Sequence, residues 1–137
     1  MTTRVVFFQV RNPSTKLAIL AETAQSHFEK GENFLIFAED DKAMSFVDDL
    51  LWKLPATSFL PHSKAEEATN ERVAIAKVKK NLNNARYVFN LCSTPLLIDA
   101  SIKIIYDFED LTSPAKQTFS SLRYDAYKQA HFLIEAR

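Results

Sequence analysis

The sequence predicts an α/β domain with a mostly parallel central sheet and helices on its faces. Two short runs, RVVFFQV (Arg4 to Val10) and FLIFA (Phe34 to Ala38), are aromatic and β-branched with little alternation. Such runs are strands covered on both sides. Between and after them, apolar residues recur at helical spacing, giving a strand–helix–strand–helix start that requires crossovers and hence parallel pairing. The chain has 137 residues, 47% of them hydrophobic, enough for one domain with a proper core, so residues 1–137 are read as a single unit.

Asn12, Pro13 and Ser14 end the first strand, and a helix follows from Thr15. Leu17, Leu20, Ala21, Ala24 and Phe28 form its apolar stripe. Gly31 fits the left-handed position just past its end. After the second strand, Glu39, Asp40 and Asp41 open a second helix, with Ala43, Val47, Leu50, Leu51 and Leu54 facing the core and Pro55 stopping it. Ser63 to Asn70 is polar and reads as an exposed loop. Arg72 to Ala76 reads as a short strand and Lys77 to Asn84 (KVKKNLNN) as a basic connector. Arg86 to Leu91 and Ser101 to Phe108 read as further strands. Ser113 and Pro114 are a helix N-cap and first turn. Ala115, Phe119, Leu122, Ala126, Ala130 and Leu133 then make the buried face of a long C-terminal helix.

Composition excludes several function classes. Lys+Arg and Asp+Glu both number 17, so bulk electrostatic binding to DNA or an anionic membrane is not expected. Gly31 is the single glycine, and phosphate-cradling loops need several. The single cysteine, Cys92, allows neither an internal disulfide nor a Cys-based zinc site, and its place at a strand end marks a buried structural thiol. His27, His62 and His131 show no metal-ligand spacing. No cofactor or metal is expected. Met1 to Val10 has no signal-peptide pattern and no apolar run approaches a membrane span, so a cytoplasmic location is expected.

Three places invite a functional reading. Glu39, Asp40 and Asp41 follow the second strand, where an acid can hold a ribose, but without a glycine loop they read as a helix cap set against the macrodipole. On the C-terminal helix, Lys116, Arg123 and Tyr127 share one stripe off the apolar face, flanked by Tyr124 and Lys128. Basic groups among aromatics suit an acidic peptide with an apolar anchor, or single-stranded nucleic acid, and equally a solvated helix face. The third place is LLWKLPATSFLPH, Leu50 to His62. Trp52 lies beside the apolar face of its helix, and Phe59 sits in a loop stiffened by Pro55 and Pro61. These aromatics are either core plugs or interface anchors.

Two blocks resemble a known family, the chi subunit of the bacterial DNA polymerase III clamp loader. They are FLIFAEDDKAMSFVDDLLWKLPATSFLPHS (Phe34 to Ser63) and RYDAYKQAHF (Arg123 to Phe132). Trp52, Pro55, Ser58, Phe59, Pro61 and His62 in that order carry the resemblance. It implies a Rossmann-like domain without catalytic activity that links the clamp loader to the single-stranded DNA-binding protein. Trp52, Pro55, Phe59, Pro61 and His62 then match a surface for the partner subunit psi or a helicase. Lys116, Arg123, Tyr124, Tyr127 and Lys128 match the helix that grips the acidic C-terminal tail of the single-strand binder, with its terminal Phe in an apolar pocket beside Tyr124. Direct nucleic-acid binding is not expected. Where the family commonly carries further basic residues, this chain has Ser120, Ser121 and Asp125. The competing reading is a small α/β hydrolase or transferase with Glu39, Asp40 and His62 converging at the strand ends.

Overall fold

The computed structural model describes residues 2–54, 60–98 and 101–137. The elements run β1 (Arg4–Val10), α1 (Pro13–Glu29), β2 (Phe34–Phe37), α2 (Asp41–Lys53), β3 (Ser63–Lys64), β4 (Val73–Ala76), β5 (Tyr87–Asn90), β6 (Ile104–Asp110), α3 (Pro114–Gln129) and β7 (Leu133–Ala136). The seven strands form one sheet in the order β3-β4-β2-β5-β6-β1-β7, and every pair is parallel. This is the expected α/β, Rossmann-like architecture.

Strand residues divide by the period of two. Val6, Phe34, Ile36, Phe89, Tyr106 and Phe108 face α1 and α2, where Leu20, Ala24, Val47 and Leu51 close the layer. Val5, Phe7, Leu35, Phe37, Val88 and Ile105 face the opposite layer, closed by Tyr127 of α3 and by Leu96 and Ile102 of the β5–β6 connection. From neighbouring strands β2 and β5 the chain therefore leaves to opposite faces. That opens a crevice at their carboxyl ends, the usual ligand position in open α/β sheets.

All three helix starts are capped by side chains. Asn12 Oδ1 accepts from the Thr15 N–H at 2.9 Å, Asp40 Oδ1 from Ala43 at 2.9 Å, and Ser113 Oγ from Lys116 at 3.2 Å. Asp40 is thus a helix cap. Pro13 belongs to the first turn of α1, two residues ahead of the expected start. Gly31 takes φ +73° and closes α1 with the paired bonds of a Schellman motif, Gly31 N–H to Phe28 C=O and Glu32 N–H to His27 C=O.

Three expectations need correction. Ser63 and Lys64, read as loop, pair with Ala74 and Ile75 as a two-residue edge strand. The C-terminal helix stops at Gln129, and Leu133–Ala136 instead pairs with β1 as the other edge. His131 takes the left-handed position at φ +64°, so α3 ends in the motif that ends α1. His131 N–H donates to Lys128 C=O, Phe132 N–H donates to Tyr127 C=O, and the Phe132 and Tyr127 rings stack across the join. The third correction is the rotation of α3. Its inward residues are Ser120, Arg123 and Tyr127, while Ala115, Phe119, Leu122 and the following Leu133 are exposed.

Candidate functional site

The rotation of α3 traces to β6. Asp107 lies on the α3 side of the sheet, with no exposed surface. A buried carboxylate needs charge and donors around it. Arg123 supplies the charge: Nε lies 3.1 and 3.2 Å from the two carboxylate oxygens, and Nη2 lies 3.1 Å from Oδ1. The remaining guanidinium donors reach the Phe108 and Ser93 carbonyls and Ser120 Oγ. Tyr127 Oη donates to Asp107 at 2.8 Å and accepts from the Leu96 N–H and from Asn90 Nδ2. Burial raises the Asp107 carboxyl above the usual carboxylate value, with the Arg123 charge and the donors opposing it. Burial likewise raises the Tyr127 phenol, and the Asp107 charge adds to the shift.

Arg123 and Tyr127 are therefore not an exposed stripe with Lys116. Every guanidinium nitrogen of Arg123 is engaged internally, and the Tyr127 ring is fully buried. Lys116, Tyr124 and Lys128 are the exposed members of that set. Tyr124 packs on Phe7 at 5.8 Å between ring centres. Beside it lies a cavity of about 480 Å³ between α3 and β7, walled by Phe7, Ile134 and Ala136. Its charged lining is Glu109 and Asp125 against Arg137.

The acids and His62 of the enzyme reading do not converge. Glu39 accepts from the Ser93 N–H at 3.1 Å and from its hydroxyl at 2.8 Å. Burial raises the Glu39 carboxyl, but these bonds outweigh it and hold it below its ordinary value. Asp40 caps the start of α2, and His62 is buried against Asp48, two turns along the same helix. Cys92 closes the crevice floor, 4% exposed, its thiol pushed up to about 12 by burial and then by Glu39. At neutral pH it is a protonated thiol rather than a nucleophile. Among the described residues no group of three or more His, Cys, Asp or Glu could hold a metal ion. No described helix is long and apolar enough to cross a membrane.

At the far end of α2, Trp52 is 55% exposed, with its ring 4.3 Å from that of His62. His62 itself is a correction. Its side chain is fully buried, with Nδ1 2.7 Å from the Leu60 carbonyl and Nε2 3.0 Å from the Asp48 carbonyl and 3.3 Å from its carboxylate. It forms the floor under Trp52, buried rather than exposed. Leu60 is 1% exposed and plugs the α1/α2 layer, and Pro61 is half-buried. The stretch thus does both things, a Leu inward and a Trp outward. Pro55 and Phe59 lie outside the described residues.

Sequence reasoning missed Asp107 and Asn90, which sit within otherwise apolar strands. An acid in the middle of a strand opposite a helical Arg and Tyr is the pattern that identifies them.

The family model described as DNA polymerase III chi subunit, HolC, matches residues 1–135. DNA polymerase III subunit chi of Escherichia coli K12 is 31% identical over 117 residues, which is 83% of this chain and 79% of that protein. The Pseudomonas aeruginosa subunit chi is 29% identical over 91 residues, 65% of this chain and 64% of that protein. A match over nearly the whole chain joins the capped α/β fold, the Trp52 end of α2 and the α3 block in one assignment: the chain belongs to the DNA polymerase III chi subunit family, accessory subunits of the replication machinery.

Proposed function

We propose that the chain is a noncatalytic replisome adaptor that docks through the Trp52 end of α2 onto a psi-like clamp-loader subunit or a helicase. The observation that carries this reading is the exposed Trp52 ring seated on a buried histidine. A large aromatic held by a rigid floor loses little entropy on binding and suits an interface anchor. Pro55, Phe59 and Pro61, which follow Trp52 in the sequence, are the further residues that the family resemblance implies for this contact. Replacing Trp52 or Phe59 by Ala abolishes partner capture in a pull-down while the circular dichroism melt is unchanged. If either variant unfolds instead, the residue is core and the reading fails.

The second half of the adaptor is the acidic tail of the single-stranded DNA-binding protein, held at α3. Lys116, Tyr124 and Lys128 remain available for it, with Arg123 and Tyr127 acting from beneath as the support that sets the helix rotation. The cavity walled by Phe7 and Tyr124 offers a place for a terminal Phe. Short, partly electrostatic contacts of this kind reach about micromolar affinity, about 8 kcal/mol. A fluorescent tail peptide from the same organism, with and without its Phe, tests this. Binding needs the Phe and fades at high salt, where the Debye length falls to about 3 Å at 1 M. Absence of binding at low salt removes α3 as a tail site.

A further inference from the structure

Both ring nitrogens of His62 face oxygen acceptors. Nδ1 lies 2.7 Å from the Leu60 carbonyl, and Nε2 lies 3.0 Å from the Asp48 carbonyl and 3.3 Å from the Asp48 carboxylate. A carbonyl has no proton to give, and a neutral imidazole has one N–H and one lone pair. In either neutral tautomer a lone pair points at a carbonyl oxygen, in a side chain with no exposed surface. The imidazolium, with a donor on each nitrogen, satisfies both ends. His27, the second buried histidine, shows the contrast. Its Nδ1 faces Glu32, but its Nε2 lies 2.7 Å from the Tyr106 hydroxyl, which can donate, so a neutral ring fits there. Burial accordingly pushes the pKa of His27 below its ordinary value.

A buried cation needs a counter-charge. Asp48 supplies it, and His62 is its only ion-pair partner among the described residues. Asp48 and Trp52 are four residues apart on α2, so they stand on successive turns of one face. His62 lies against both. The Trp52 and His62 ring centres are 4.3 Å apart with their planes at 45°, inside the roughly 6 Å over which an indole attracts a cation. Among the described residues, the ring thus meets the Asp48 carboxylate and Trp52 from α2 and the Leu60 carbonyl from its own segment, and Asp48 is the titratable group of the three.

We propose that His62 is held as an imidazolium by Asp48 and Leu60, and that this buried cation fixes the Trp52 ring in its outward position. Asp48 and His62 are then positioning residues for the Trp52 surface. Loss of a ring proton sets a lone pair against the Asp48 oxygens and removes the cation beneath the indole, so the hold on Trp52 weakens as pH rises. The consequence for docking rests on the reading of Trp52 as the anchor, whereas the charge on His62 does not.

Trp52 is the single tryptophan of the chain, so indole emission reads this site alone. An imidazolium in contact quenches that emission by accepting an electron from the excited indole. In the whole protein at neutral pH, NMR of the ring nitrogens is expected to show two N–H groups on His62, with the indole emission quenched. Raising the pH removes one N–H resonance and brightens the emission together. His131→Gln leaves this response in place, and His62→Gln abolishes it. Asp48→Asn keeps the backbone carbonyl but removes the counter-charge, so at neutral pH it has lost one N–H resonance and emits like the unaltered protein at high pH. A single ring N–H on His62 in the unaltered protein at neutral pH overturns the proposal. So does an Asp48→Asn variant whose resonances and emission match the unaltered protein. These two measurements decide the charge even if His62→Gln fails to fold. If Trp52→Ala abolishes capture of the psi-like subunit and Asp48→Asn leaves capture undiminished, the positioning role is overturned. If Trp52→Ala itself retains capture, the anchor reading fails, and the charge on His62 is judged by its spectra alone.

Discussion

Helices α2 and α3 pack on opposite faces of one sheet, and they obey different rules. In α2, Met44, Val47 and Leu51 are buried, with Ala43, Leu50 and Leu54 packed at the margin. This is the apolar stripe that helical spacing picks out. In α3 the apolar residues Phe119 and Leu122 are exposed, and the inward residues are Ser120, Arg123 and Tyr127. The helix has turned by about one residue, about 100°. Beneath α2 the strands offer Phe34, Ile36 and Ile75, so apolar burial sets its rotation. Beneath α3 they offer Asp107 and Asn90, and leaving that carboxylate without a cation costs more than exposing a Phe and a Leu.

The largest expected effect tests that difference directly. Arg123→Met leaves Asp107 buried without its cation and lowers stability by about 3–5 kcal/mol in urea unfolding. Adding Asp107→Asn recovers part of the loss. A single-variant loss below about 1 kcal/mol would mean that the polar network does not set the helix rotation. On the α2 side, Leu51→Ala opens a cavity in an apolar layer and costs about 2–5 kcal/mol by the same measurement, with no rescue from any charge change. Tyr127→Phe keeps the ring and its contact with Phe7 but strips the hydroxyl from Asp107 and from the Leu96 N–H, and is expected to cost about 1–3 kcal/mol. The smallest effect comes from the residue that helical spacing had placed in the core. Leu122→Ser changes stability by less than about 0.5 kcal/mol, and a larger loss would restore the original helix face.

The two helix ends carry a matching contrast. Gly31 announces the end of α1 because glycine adopts positive φ without strain. At the end of α3, His131 occupies the equivalent position in the same Schellman motif, and no local signal marks it. Read without that break, Ala126, Ala130 and Leu133 continue a helical period, and β7 is lost to a longer helix. The two-residue β3 was hidden for another reason. Ser63 and Lys64 have no strand composition, and only the neighbouring edge of β4 makes them one.

At the C-terminal end of α2, Trp52 was legible as a side chain beside an apolar stripe. Nothing local says that His62, ten residues on, turns inward to support it, because its partners are the carbonyls of Leu60 and Asp48.

By itself the sequence determined the α/β class with a mostly parallel sheet, the positions of β1, β2 and β5, a cap among Glu39, Asp40 and Asp41 and another at Ser113, the buried Cys92 and the family. Each rests on local periodicity, a local cap or a residue order that needs no partner across the sheet. Tertiary structure alone decided which face of α3 is buried, where that helix stops, and which of Arg123, Tyr124, Tyr127 and His62 meet solvent. The helix stops where Leu133–Ala136 pairs with β1, whereas the buried face of α3 and the inward side chains share one reason. A buried charge or a backbone carbonyl distant in sequence fixes the side chain, and its demand for a partner outweighs the hydrophobic pattern of the segment that supplies one.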